Sequence, residues 1–138
     1  MVAEAQYFPQ SALADVLKAV PQQGKRMLPL PMGLADMPLG ILEDQAVENA
    51  PEVHRSEGDL WQCLEGEATF VVGGEVVGVR ERERADGTLN SDELTGERIE
   101  GGATYILRSG DWLWIPPGVP HQHAASGTAR LAIIKIRG

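Results

Sequence analysis

From residue 41 onward the apolar positions fall in short runs, with no helical stripe: "DLWQCLE" (59–65), "EATFVVG" (67–73), "EVVGVRERER" (75–84), "ATYILRS" (103–109), "DWLWIP" (111–116) and "RLAIIKIR" (130–137). Gly66, the Gly73–Gly74 pair, Gly110 and Gly127 punctuate them. Strands of this length and spacing predict an all-β sandwich or barrel. Helical periodicity is confined to "SALADVLKAV" (11–20), where Leu13, Val16, Leu17 and Val20 share one face, Ser11 is the expected N-cap, and Pro21 and Gly24 stop the helix. The next stretch, "MLPLPMGLADMPLG" (27–40), is too rich in proline and glycine for helix and reads as an arm lying on the domain, with at most one short edge strand. Between Arg80 and Glu100 the chain is strongly charged around an Asp86–Gly87 turn, which predicts an exposed hairpin or solvated loop, or alternatively a lid over a site.

At 138 residues the chain is the size of one ordinary domain, divided here into a helix and arm (1–39) packed on a barrel (40–138). No stretch approaches the roughly 18 consecutive apolar residues of a membrane span. The N-terminus, "MVAEAQYFPQ", lacks the basic and apolar regions of a secretory signal, so a cytoplasmic location is expected. The single cysteine, Cys63, has apolar flanks and reads as a small buried hydrophobe. A formal net charge of −8 repels phosphate backbones and anionic headgroups, which argues against nucleic acid and membrane partners.

All three histidines fall in two segments: His54 in "PEVHRSEGDLW", then His121 and His123 in "PPGVPHQHAA". Imidazole with carboxylate suits divalent metals, and Glu52, His54, Glu57 and Asp59 supply that mixture in the first segment. In a strand Glu52 and His54 share one face by the two-residue period, as do His121 and His123. Pro116, Pro117 and Pro120 fix φ through the bend before His121, and Gly118 permits a turn that a side chain forbids. The preceding Trp112-Leu113-Trp114-Ile115 run is expected to fill a wall of the barrel. Trp61, Trp112 and Trp114 are expected as core or pocket lining, and Arg55 and Arg130 as solvated arginines.

These segments resemble the two motifs of the cupins, G-x5-H-x-H-x(3,4)-E-x6-G and G-x5-P-x-G-x2-H-x3-N. The second is followed by Gly110, Pro116, Gly118 and His121, with Ala125 where asparagine is usual. The first is altered: Glu52 and His54 stand at the two histidine positions, Asp59 at the glutamate position, and Gly66 follows. The resemblance spans roughly residues 40–137 and implies an antiparallel double-stranded β-helix, or jelly-roll, and pairing of barrels as a homodimer. It also implies a divalent ion held by His54, Asp59 and His121, with Glu52 as a further ligand or base and His123 either supporting the ligands from behind or acting in proton transfer.

Two histidines and one carboxylate with open positions form the facial arrangement of non-haem iron(II) oxygenases. A metal-dependent enzyme acting on a small organic metabolite is therefore expected. Dioxygenase-like chemistry with Fe(II) is slightly preferred, and zinc, manganese or nickel are alternatives. A redox-neutral isomerase, lyase or cyclase and a non-catalytic binding barrel are the competing readings.

Overall fold

The computed structural model describes residues 4–31 and 37–138. A short helix α1 (Gln10–Val16) precedes twelve strands: β1 (Gly24–Leu28), β2 (Leu39–Glu48), β3 (Glu52–His54), β4 (Glu57–Glu65), β5 (Glu67–Val72), β6 (Glu75–Val77), β7 (Arg80–Glu83), β8 (Leu89–Thr95), β9 (Arg98–Glu100), β10 (Ala103–Arg108), β11 (Trp112–Ile115) and β12 (His121–Arg137). Every pairing among them is antiparallel. The result is the expected all-β jelly roll.

β12 is the spine of the barrel. Its first residues lie between β3 and β5, and its later ones between β2 and β4. From those four strands the sheet extends outward, through β1 on β2, β8 on β3, β7 on β8, β10 on β5 and β11 on β4. β6 and β9 form a separate two-stranded ribbon. The enclosed core is built from Trp61, Cys63, Ala68, Phe70, Leu107, Ile115, Ala129 and Leu131, where the inward faces of both halves meet. Cys63 is fully buried there, as its flanks suggested.

Several boundaries differ from those predicted. The 75–84 run breaks into β6 and β7 because Gly78 adopts a left-handed φ of 68°. The 130–137 run is the second half of β12, and Gly127 sits within a bulge between Ala125 and Thr128 instead of ending a strand. The helix stops at Val16, and Ser11 lies inside it; Pro9 precedes it as the N-cap, its carbonyl accepting from the Ala12 and Leu13 N–H groups. Val20 is exposed. The arm contributes β1, while its middle, residues 32–36, lies outside the described residues. The charged stretch does form a hairpin, β7–β8, docked on β3.

Trp112 and Trp114 do not fill the barrel wall. Strand alternation sends Leu113 and Ile115 inward, which leaves Trp112 57% and Trp114 45% exposed on the outer face. The Trp114 ring lies over Gly58, where an added Cβ would come within 2.2 Å of it. Arg130 is not solvated either. It is buried, pairs with the buried carboxylate of Glu43, and donates to the carbonyls of Leu17 and Ala19. Arg26 of β1 donates to the same carboxylate at 2.8 Å. One buried charge cluster thus fastens β1 and the segment after α1 onto β2 and β12.

Gly66, between β4 and β5, has φ of 73°, and a Cβ there would meet the Thr128 carbonyl oxygen at 2.0 Å. A backbone atom cannot swing aside as a side chain would. Gly66→Ala is therefore expected to cost about 2–3 kcal/mol, combining left-handed strain with overpacking. Urea unfolding with unchanged slope and a lowered midpoint checks this.

Candidate metal centre

Three cross-strand pairs build the site. Glu52 of β3 stands directly opposite His121 of β12, His54 of β3 opposite Glu93 of β8, and Asp59 of β4 opposite Lys135 of β12. The proline bend holds this alignment: the Gly118 N–H, with φ of 81° at that residue, donates to the His54 carbonyl at 2.8 Å, and the Pro120 carbonyl accepts from Gly73 N–H at 2.8 Å. His121 is thereby fixed beside His54, their ring centroids 5.0 Å apart.

His54 Nε2 lies 3.2 Å from Glu52 Oε2 and 3.4 Å from Asp59 Oδ2. His121 Nε2 lies 3.7 Å from the same Glu52 oxygen and 3.3 Å from the same Asp59 oxygen. The other side of each ring is held. His54 Nδ1 is 2.7 Å from Glu93 Oε1, and His121 Nδ1 is 3.1 Å from the Val119 carbonyl. This is the outer contact that fixes a metal-binding imidazole with Nε2 pointing inward.

Burial disfavours charge on His54, yet the carboxylates of Asp59 and Glu52 outweigh it and push its pKa up to about 10. The same two carboxylates raise His121 against its burial. In return, and again against burial, His121 and His54 help hold the carboxyls of Glu52 and Asp59 well below the usual range. Lys25 reinforces Glu52 at 2.9 Å, and Lys135 Nζ donates to Asp59 Oδ1 at 2.7 Å while standing 3.4 Å from His54 Nε2.

The donor set fits a divalent ion. One atom from each of Glu52, His54 and His121 falls within a 4.8 Å group. Ligands about 2.1 Å from a common ion stand about 3.0 Å apart at right angles and about 3.4 Å apart at tetrahedral angles. The imidazole–carboxylate separations of 3.2 to 3.7 Å lie near that range. Asp59 Oδ2 and His121 Nε2, buried and facing each other, make no hydrogen bond.

Glu52, His54 and His121 converge here, whereas Asp59, expected as a ligand, lies beside them outside that group with its carboxylate held by Lys135 at 2.7 Å. His123 stands apart: its Nδ1–H donates to Asp44 Oδ2 at 2.5 Å, and Asn49 Nδ2 donates to Asp44 Oδ1 at 3.0 Å. Its ring packs on Trp61 and Phe70. Glu93, Lys135, Lys25 and Asp44 were not foreseen. A cavity of about 580 Å³ opens over the site, lined by His54, Glu52 and His123 on its polar side and by Met27, Leu42, Trp61 and Ile133 on its apolar side.

No family model matches the sequence, and no curated protein matches it. Solved structures do match in fold. Escherichia coli YcfD aligns with a TM-score of 0.55 at 22% identity, over 72% of this chain and 25% of YcfD. A second YcfD structure, described as a ribosomal oxygenase in complex with cobalt and 2-oxoglutarate, aligns at 0.52 and 22% identity over 72% of this chain and 23% of that one. The chain thus spans about a quarter of YcfD. The Drosophila melanogaster CENP-C cupin domain aligns at 0.53 and 15% identity, over 84% of this chain and 72% of that domain. The fold of this protein is the cupin fold.

Proposed function

We propose that this cupin-fold protein is a metal-dependent enzyme acting on a small organic metabolite, with oxygenase-type chemistry preferred and iron(II) as the favoured ion. The observation that carries the reading is the convergence of Glu52, His54 and His121, one possible ligand atom from each within a 4.8 Å group, with His121 Nε2 buried and making no hydrogen bond. His54, His121 and Glu52 would hold the ion, with Asp59 beside them restrained by Lys135. When bound, such an ion supplies a Lewis acid with open positions for substrate and, if it is iron, for dioxygen. Glu93 and the Val119 carbonyl keep both rings oriented, and Met27, Leu42, Trp61 and Ile133 give the cavity beside them an apolar wall. The cobalt-bound oxygenase of the same fold is consonant with this chemistry.

A redox-neutral isomerase or lyase is the second reading, favoured by the Asp44–His123 pair. Asp44 fixes the ring through Nδ1, leaving Nε2 to take or give a proton at the cavity. The test begins with chelator-stripped protein dialysed against one divalent metal at a time, followed by elemental analysis. Close to one ion per chain is expected, with a melting temperature that rises as metal is added, because only the folded chain joins the ligands. Preferential uptake of iron from cells would favour the oxygenase. Wild-type protein that retains no ion from any of the metals would end the enzyme reading in favour of a metal-free binding barrel.

A further inference from the structure

The walls of the cavity have a charge pattern that the chain as a whole lacks. Lys and Arg together number 12 against 20 Asp and Glu, yet Lys25, Arg26, Arg82 and Lys135 line this one cavity against Glu52, Glu57 and Glu93. Two of those three acids are already committed to His54, Glu52 at 3.2 Å and Glu93 at 2.7 Å. Three of the four cations are committed as well: Lys25 to Glu52, Arg26 to Glu43 and Lys135 to Asp59. Arg82 alone of the four has no acceptor among the described residues. It projects from β7, which pairs with β8; β8 carries the Glu93 that holds His54, so the guanidinium is mounted on the strand pair that also braces the site. Arg82 is exposed, as is all of β7, and the same cavity is also lined by Met27, Met37, Leu39, Leu42 and Ile133.

We infer that the ligand of this cavity is a small monocarboxylic acid with an apolar body: Arg82 takes the carboxylate as a two-pronged donor, and the methionine- and leucine-lined wall takes the hydrocarbon part. A planar guanidinium matches a carboxylate in a way that an ammonium does not. A chain of net charge −8 gives an organic anion no general attraction, so binding of one needs a local cationic group of this kind. The inference rests on the proposed enzyme reading for its sense as substrate selection, but the binding it describes does not need the metal.

The test titrates benzoate and hexanoate, with benzamide and hexanamide as neutral counterparts, into chelator-stripped and cobalt-loaded protein. Binding is followed by calorimetry and by the indole N–H resonance of Trp61, which lines the cavity. The acids are expected to bind about tenfold or more tightly than their amides, and Arg82→Met to remove that preference while leaving cobalt content and melting temperature unchanged. Equal affinity for acid and amide, an Arg82→Met variant that keeps the preference, or no binding of any probe would each overturn the inference. Failure to hold cobalt would instead count against the metal centre, and the stripped-protein titrations would still decide the question of the acid.

Discussion

His121→Ala is expected to release the ion: the variant should hold it at least about 100-fold more weakly than wild type and emerge from dialysis essentially metal-free. Loss even of a residue that only orients a ligand weakens metal sites about 10- to 100-fold, and His121 is placed to be a ligand. Its Nε2 is one of the orphaned atoms, and nothing else on β12 can replace it: His123 points its Nδ1 to Asp44 and packs its ring on Trp61. The control is His123→Gln, since alanine there would leave the buried Asp44 carboxylate with one fewer donor. This variant should keep its ion and lose only proton-transfer capacity. Metal content by elemental analysis separates the two variants, and equal retention by both would place the ion somewhere other than on His121.

Glu43→Gln is expected to remove about 3 kcal/mol of stability at neutral pH, a large share of the roughly 5–15 kcal/mol that holds a domain of this size together. Burial alone would raise the Glu43 carboxyl, but donation from Arg26, the Gln22 N–H and Arg130 outweighs it and holds the pKa at about 2 against an ordinary 4.5. A group depressed in this way contributes stability in full above the ordinary value and loses it as pH falls from 4.5 through 2. Glutamine cannot ionise, so buried Arg130 loses its close counter-ion at neutral pH and keeps only the more exposed Glu65, at 3.8 Å. Urea melts of both proteins at pH 7 and near pH 3 should therefore show a gap that narrows with acid. A gap of constant size would mean that packing, and not charge, makes Glu43 matter.

The jelly roll was readable because short apolar runs such as "WQCLEG", "ATFVV" and "LAIIKI" recur with glycines among them, and the proline bend was readable because its function lies in φ angles that proline and Gly118 impose by themselves. Lys135 could also have been read: Leu131 and Ile133 face inward, and the same period carries on to residue 135. Glu93 could not. It reaches His54 only through the register of β8 on β3, and nothing within a charged hairpin says which of its acids will stand opposite which residue. The outward tryptophans failed for a related reason. Period two fixes that Trp112 and Trp114 share a face, but which face is settled by the pairing of β11 with β4. Arg130 and Glu43 went unrecognised because each is an ordinary surface residue until the other is brought beside it from 87 positions away.

β12 also dictates an order of events. Its partners β2 to β5 all precede it by tens of residues, with Ile133, for instance, opposite both Gly40 and Trp61. Contacts so far apart in sequence must absorb the entropy of closing long loops before they return anything, which places such a barrel among the slower-folding topologies. His121 arrives with that strand, while Glu52 and His54 wait on β3. A chain still assembling therefore offers a passing ion only a fragment of the cage, and capture becomes favourable only once the barrel has closed. On the proposed metal reading, the cell's supply of metal would then meet a finished protein, and an ion taken up would report on the contents of the compartment after folding and not on conditions while the chain was being made.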